Sequence, residues 1–166
     1  MLKGGHNMAD MLVKLYDIPD PTPQVKGLYE KGILIRTARS YEKHIVVQWV
    51  RNVFTQGWAS ECEVAFSNHP ISCLIATKAG EIIGFACYDT TCKNFFGPTG
   101  VAKIKQGHGI GKALLLSCLN LMASNGYAYA IIGGADAPDY YTRAVGATTI
   151  QGSFPGIYKD RLIQKS

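Results

Sequence analysis

The feature that most constrains the fold is a glycine-rich segment that runs directly into a long apolar helical pattern. Within KIKQGHGIGKALLLSCLNLM, residues 103–122, three glycines precede the apolar run. The periodicity predicts a helix from Gly109 to Asn125 that ends at Gly126. Strand patterns lie on both sides, GPTGVAKI before the helix and YAYAIIGG after it. Because a strand–helix–strand connection is a right-handed crossover, it predicts a parallel strand pair.

Hydrophobic patterns elsewhere predict the strands and helices that surround this unit. A strand is expected at 33–39, a hairpin around Lys78-Ala79-Gly80-Glu81, helices at 40–54 and 58–68, and a short helix with one or two closing strands after residue 134. The residues expected on the buried face of the first helix are Ile45, Trp49, Val50, Val53 and Phe54. The element order predicts one α/β (α+β) domain: a mixed, mostly antiparallel sheet of about seven strands with a central parallel pair and helices on both faces.

The first 32 residues are expected to form a leader and an extended lead-in segment. Residues 1–10 have the composition of a mobile leader. Three prolines between residues 17 and 25 predict a stretch without helix, with order beginning after it. We therefore expect the folded domain to occupy residues 33–166.

The composition narrows the function classes. Seventeen Lys and Arg against twelve Asp and Glu form a mild basic excess, which suits a small anionic ligand and lacks the clustered stripe typical of nucleic-acid binding. The five cysteines include no C-x-x-C pair, so we expect no metal site, no disulfide framework and a reducing, cytoplasmic setting. No apolar run reaches the ~20 residues that span a bilayer, so no membrane contact is expected.

The glycines have several alternative interpretations. They could form only a tight turn, or they could open the N-terminus of the helix to an anionic ligand. The P-loop pattern fails because Gln106 and Ala113 occupy its first glycine and hydroxyl positions, and the dinucleotide fingerprint lacks its third glycine at Lys112. The pattern Q/R-x-x-G-x-G/A is complete, with Gln106, Gly109 and Gly111 at its fixed positions.

On these residues the chain resembles the GNAT superfamily of N-acetyltransferases, whose acyl-CoA loop carries that pattern. Val101 matches the valine of the preceding strand, an apolar strand follows the helix, and DYYTRAVGA resembles the F-Y-x-K-x-G-F signature with Tyr141 at its tyrosine. The chain departs from the family at Gly134, where an asparagine is frequent, and at Lys103, where a proline is usual. The resemblance runs from about residue 33 to the end.

The resemblance implies acetyl-CoA (coenzyme A) as the cofactor, with its pyrophosphate held by the loop. The implied binding residues are Val101, Gln106, Gly107, His108, Gly109, Ile110, Gly111 and Lys112. It also implies two catalytic groups between strands that splay around Val101 and Ile131. The N–H of Val101 would donate to the thioester oxygen, and Tyr141 would give its phenolic proton to the departing thiolate.

The resemblance places the acceptor site on the first two helices and the loop between them. The candidates for binding a small-molecule amine are Trp58, Glu61 and Asp89. Glu61, Glu63 and Asp89 stay open as alternatives for the general base. An amino sugar is one candidate acceptor, and a homodimer is one assembly that the resemblance implies.

The hypothesis favoured by these residues is an acetyl-CoA-dependent N-acyltransferase in which a primary amine attacks the thioester directly in a ternary complex. Three alternatives remain: a non-catalytic acyl-CoA-binding sensor, a protein or peptide N-acetyltransferase, and a nucleotide-binding enzyme. Substitution of Tyr141 separates the enzyme from the sensor, and ligand-dependent thermal stability separates acetyl-CoA from nucleotides.

Overall fold

A computed structural model describes residues 8–165, so most of the expected leader at residues 1–10 lies outside the described residues. The strands are β1 (Met11–Lys14), β2 (Ile33–Thr37), β3 (Cys73–Lys78), β4 (Glu81–Tyr88), β5 (Phe95–Val101), β6 (Tyr129–Ile132) and β7 (Thr148–Thr149). The helices are α1 (Thr22–Tyr29), α2 (Lys43–Val53), α3 (Gln56–Ala65), α4 (Ile110–Ser124) and α5 (Pro138–Val145). Among the described residues, no helix is long and apolar enough to cross a lipid bilayer.

The seven strands form one sheet in the order β2-β3-β4-β5-β6-β1-β7. Its pairs are antiparallel except for β5 and β6, which run parallel on either side of the α4 crossover. This confirms the predicted mixed sheet with a central parallel pair. The predicted hairpin is also confirmed, since Ala79 and Gly80 both have positive φ between β3 and β4, as a two-residue type I′ turn requires.

Two hydrophobic clusters cover the opposite faces of the sheet. Along β3, Leu74 and Ala76 belong to one cluster, whereas Ile75 between them belongs to the other. The first cluster contains the buried residues of α1, α4 and α5, and the second contains those of α2 and α3. Because alternate side chains of a strand point to opposite faces, helices cover both sides of the sheet, as predicted.

A β-bulge in the β4–β5 pairing lies where the pairing between β5 and β6 ends. On β4, Ala86 and Tyr88 are two residues apart, whereas their partners on β5, Thr99 and Phe96, are three apart. The extra residue falls at Gly97–Pro98, and pairing with β6 stops at Phe96. From there β5 follows β4 alone, so the sheet opens into a V whose arms are the end of β5 and the segment after β6.

Two expectations for the N-terminal segment are wrong. Helix α1 begins at Thr22, although the prolines were expected to exclude a helix there. Pro21 is the N-cap and Pro23 lies in the first turn, where the missing N–H has no helical partner to lose. Order also begins before residue 25, because β1 lies inside the sheet between β6 and β7, with Met11 and Val13 buried.

The predicted buried face of α2, the first helix expected from the sequence, is partly wrong. Val50 is buried as expected, but Ile45 and Val53 are more than 40% exposed, at 55% and 42%. Val46 and Val47 are buried in their place. The segment HIVVQWVRNVF carries apolar residues at two overlapping helical spacings, so the spacing alone does not choose the face that packs on the sheet.

Candidate functional site

Two clefts occupy the V between β5 and β6. The loop cleft, about 530 Å³, is lined by Phe96, Thr99, Gly100, Val101, Lys105, Gln106, Gly107, Gly109, Ile110, Gly111, Lys112, Leu115, Ala137, Tyr140 and Tyr141. The tail cleft, about 520 Å³, is lined by residues that include Trp58, Glu61, Thr91, Asp136, Tyr141 and, from the C-terminal segment, Phe154, Tyr158 and Arg161. Phe96, Thr99 and Tyr141 line both, so the two clefts meet at the bulge.

The loop cleft contains the open N-terminus of α4. Gly109 is the N-cap with φ +79°, and the first helical hydrogen bond runs from the Ala113 N–H to the Gly109 carbonyl at 3.0 Å. The N–H groups of Ile110, Gly111 and Lys112 therefore have no partner within the helix, and glycine offers no capping side chain. Gly107 is also in the left-handed region, with φ +84°, which explains why glycine occupies both turn positions.

The charge of the loop cleft is positive. Half-buried Lys105 and Lys112 line it, and its lining residues include no carboxylate. Together with the partial positive charge at a helix N-terminus, they favour a polyanionic ligand. Of the predicted loop residues, His108 alone lies outside this cleft; it lines a small pocket with Lys31 and Gln24 of the α1 region.

The backbone of Val101 faces the V. The Ala102 N–H donates to the Ile83 carbonyl of β4 at 2.9 Å, and N–H groups point to alternate edges along a strand. The N–H and carbonyl of Val101 therefore point away from β4. In agreement, the Gln106 side-chain amide donates to the Val101 carbonyl at 3.3 Å. The expected splay is present at Val101 but not at Ile131, whose N–H donates to the Asn94 carbonyl at 2.9 Å.

Tyr141 projects from α5 to the junction of the two clefts. Its side chain is 8% exposed, and its ring lies 5.2 Å from that of Tyr140. Within the described residues its hydroxyl makes no hydrogen bond, so it is available to a ligand. Burial, assisted by the charge of Asp136, raises the pKa of Tyr141 to about 12. The phenol is therefore protonated at neutral pH and can act as a donor.

The tail cleft combines carboxylates with aromatic rings. Glu61 of α3 accepts a hydrogen bond from the Thr91 hydroxyl, and Trp58 packs on Phe54 with ring centroids 5.3 Å apart. Burial raises the pKa of Tyr158, and the charge of Glu61 raises it further. Carboxylates beside aromatic faces are a combination that suits a cationic or hydroxylated small molecule.

The structure does not bring every predicted acceptor residue to the clefts. Trp58 and Glu61 line the tail cleft, but Asp89 lies outside both. The Asp89 carboxylate accepts hydrogen bonds from the Asn94 N–H at 2.8 Å and the Tyr127 hydroxyl at 2.9 Å. Glu63 is exposed and forms an ion pair with Lys43 at 3.1 Å. Both carboxylates have local structural partners away from the V.

Several residues of the tail cleft were not predicted from the sequence. Asp136 lies four residues after the end of β6, and a polar residue close to the carboxyl end of a buried parallel strand is a signal that could have identified it. Tyr158 and Arg161 belong to an irregular segment after β7 that carries no motif. Asp10 accepts the Gly134 N–H, and its own N–H donates to Ser153, so contacts distant in sequence bring this segment to the cleft.

The fold is shared with solved acetyltransferases. The GCN5-related glucosamine N-acetyltransferase region of a fungal multidomain GH3 β-N-acetylglucosaminidase matches with TM-score 0.68 and 15% identity, over 86% of this chain and 19% of that one. A GCN5-related N-acetyltransferase from Sphaerobacter thermophilus matches with TM-score 0.64 and 22% identity, over 86% and 48%. The chain has the GNAT fold. It spans about a fifth and about half of the lengths of these two relatives.

A third GNAT structure supports the same fold. The GNAT family acetyltransferase from Brucella melitensis, solved in complex with acetyl-CoA, matches with TM-score 0.53 and 20% identity, over 67% of this chain and 80% of that one. No protein-family model matches the sequence, and no curated protein matches it. The similarity to GNAT proteins is therefore one of three-dimensional structure.

Proposed function

We propose that the chain is an acetyl-CoA-dependent N-acetyltransferase that acts on a primary amine of a small molecule. The observation that carries the proposal is the junction of the two clefts. There the Val101 N–H and the Tyr141 hydroxyl face the same V, one cleft is cationic and glycine-lined, and the other carries carboxylates. A transfer between a polyanionic donor and a cationic acceptor needs this pairing of environments.

The residues of the loop cleft fit acetyl-CoA. The open N–H groups of Ile110, Gly111 and Lys112, together with the Lys105 side chain, would hold the pyrophosphate. Acetyl-CoA supplies an acyl group already activated as a thioester. The Val101 N–H would donate to the acyl oxygen as negative charge develops on it, which is the role of a one-donor oxyanion site. The complex of the Brucella melitensis GNAT protein with acetyl-CoA supports this choice of ligand.

The pKa of Tyr141 refines its proposed role. Proton transfer from a phenol of pKa about 12 to a thiolate of pKa ~8.5 is energetically unfavourable. We therefore propose that Tyr141 stabilises the leaving sulfur by donating a hydrogen bond, while the sulfur is protonated from another source. Because the phenol is protonated at neutral pH, this donor is present across the whole physiological range.

The carboxylates of the tail cleft divide between two roles. Asp136 is close enough to Tyr141 for its charge to raise the Tyr141 pKa, so it lies near the reacting end of the cleft. We assign Asp136 to accepting the amine proton, directly or through water. Glu61, held by Thr91 on the α3 side, would bind a cationic or hydroxylated part of the acceptor.

A small polar amine is the acceptor class that this cleft supports best. The fungal relative is described as a glucosamine N-acetyltransferase, which makes amino sugars the first compounds to test. The five cysteines are free thiols, in keeping with the proposal that the protein works in a reducing compartment such as the cytoplasm.

Thermal unfolding followed by product analysis tests the proposal. Acetyl-CoA should raise the melting temperature more than ATP or NAD does, because a ligand that binds only the folded state stabilises it. Mass spectrometry should then detect an N-acetylated product in a panel of amino sugars, polyamines, amino acids and peptides. Stabilisation by acetyl-CoA without any product would favour the sensor, and acetylation of peptides alone would favour a peptide N-acetyltransferase. Stronger stabilisation by ATP or NAD would overturn the assignment of the loop cleft.

A further inference from the structure

Three cysteine thiols meet in the core on the side of the sheet covered by α2 and α3. Cys62 comes from α3, Cys73 from the start of β3 and Cys87 from β4, where it is the cross-strand partner of Cys73. All three side chains are completely buried. Their sulfur atoms lie within 4.8 Å of one another. No other group of three ligating side chains of this kind occurs among the described residues.

The separation of the sulfurs is that of ligands around one ion. Three sulfurs bound at ~2.3 Å around a single centre lie about 4 Å apart. Only small movements of the three side chains would therefore bring their sulfur atoms to the distances that one bound ion requires. The other buried members of the cluster are Ala38, Val46, Val47, Val50, Ala59, Ala65, Ile75 and Phe85, which offer no fourth ligand. A tetrahedral zinc site, which needs four ligands, does not fit this shell.

Charge balance selects the class of ion. Three thiolates carry three negative charges, and a net charge in an apolar core costs several kcal/mol unless it is paired. A monovalent ion such as Cu(I) leaves two negative charges and a divalent ion leaves one, whereas a trivalent centre leaves none. We propose that Cys62, Cys73 and Cys87 form a binding site for one trivalent thiophilic metalloid, with arsenite as its probe.

The binding reaction is balanced without an oxidant or reductant. Neutral arsenous acid, As(OH)₃, would exchange its three hydroxyl groups for three thiolates. Three As–O and three S–H bonds break, three As–S and three O–H bonds form, and the thiol protons leave with the hydroxyl groups as three water molecules. Both the reactant and the bound form are uncharged, so neither requires a charge to enter the apolar core. Arsenic stays trivalent and each sulfur keeps its oxidation state.

Arsenite titration of the reduced protein tests this site independently of the proposed acetyl transfer. We expect one arsenic per chain by native mass spectrometry and a rise in melting temperature. The extended fine structure beyond the arsenic X-ray absorption edge should show three sulfur neighbours. Absence of the adduct, or fewer than three sulfur neighbours, would overturn the proposal. Zinc giving an equal or larger rise under the same conditions would overturn the choice of a trivalent centre.

Matched cysteine variants separate the site from general thiol reactivity. Cys62→Ala should abolish the three-sulfur adduct, whereas Cys92→Ala, which changes a half-buried thiol outside the cluster, should retain it. An adduct of unchanged stability in folded Cys62→Ala would contradict the assignment. If that variant does not fold, the absorption measurement on the wild-type chain still decides, because it counts the sulfur ligands directly.

Discussion

At the scale of single residues, motifs identified the groups that line the loop cleft but not most of those that line the tail cleft. Gln106, Val101 and Tyr141 stand at fixed positions in patterns that can be read locally. Asp136 and Arg161 reach the tail cleft through β6 and the C-terminal segment, so their proximity depends on tertiary structure. Local patterns therefore predict the residues of a loop better than the residues that converge on a cleft.

Tyr141→Phe tests the proposed hydrogen bond to the leaving sulfur. We expect kcat to fall about 10- to 100-fold because one donor to the developing thiolate is lost. Acetyl-CoA affinity and melting temperature should change little, since the hydroxyl makes no hydrogen bond among the described residues. Steady-state kinetics and calorimetry measure both, with Tyr140→Phe as the neighbouring control. An unchanged kcat would remove Tyr141 from the mechanism.

The ion pair of Glu42 with Arg36 predicts a stability that depends on pH. Hydrogen bonding from Arg36 lowers the pKa of Glu42 from 4.5 to about 2. Because the folded pKa lies below the unfolded one, the stabilisation is complete above about pH 4.5 and is lost as the pH falls towards 2. Glu42→Gln should cost about 1–2 kcal/mol at pH 7, since the pair is partly exposed, and almost nothing near pH 2.

Urea unfolding from pH 7 down to pH 2.5 measures this difference between wild type and Glu42→Gln. Glu30→Gln, at an exposed carboxylate without an ion pair among the described residues, is the control and should show no such convergence. A difference that stays constant over the whole range would show that Glu42 acts through packing rather than charge.

At the scale of elements, the pattern predicted α4 and its boundaries closely but missed α1 and β1. The glycines before and after α4 mark its ends, and Gly126 indeed has a positive φ of 97°. Strand β1 is four residues long, too short for a periodicity to emerge. Helix α1 was missed because proline excludes a helix only from its interior, whereas Pro23 lies in the first turn.

Lys112→Gln tests the anion-binding role of the α4 N-terminus. We expect acetyl-CoA to bind about three- to tenfold more weakly, because one cation near the open N–H groups is removed. The difference should shrink as salt is added, since salt screens the interaction. Calorimetry at two ionic strengths measures it. Lys78→Gln, at the end of the hairpin strand β3, removes the same charge elsewhere and should leave the affinity unchanged.

At the scale of the whole molecule, the sequence predicted the architecture but not that the N-terminal segment supplies a strand of the sheet. The strand count, the parallel pair and the two covered faces follow from patterns along the chain. The position of β1 between β6 and β7 does not, because it depends on pairing between residues more than one hundred positions apart. Long-range pairing leaves no local mark in a sequence.

Met11→Ala tests the structural role of β1. Met11 is 1% exposed, so truncation should lower the free energy of unfolding by about 2–4 kcal/mol. Met8→Ala is the matched control: Met8 is 44% exposed, and its change should stay within ~0.5 kcal/mol. Denaturant unfolding of both variants measures the difference. Equal stabilities would mean that β1 contributes little to the core.

The place of β1 in the sheet also bears on how the chain is made. Leu12 pairs with Ile131 of β6 on one side and with Thr148 of β7 on the other. Because β1 is synthesised before β6 and β7, it leaves the ribosome before both of its pairing partners. Until they emerge, its apolar side chains have no permanent neighbours. A nascent chain of this protein should therefore stay dependent on chaperone protection until residue 149 has emerged from the ribosome.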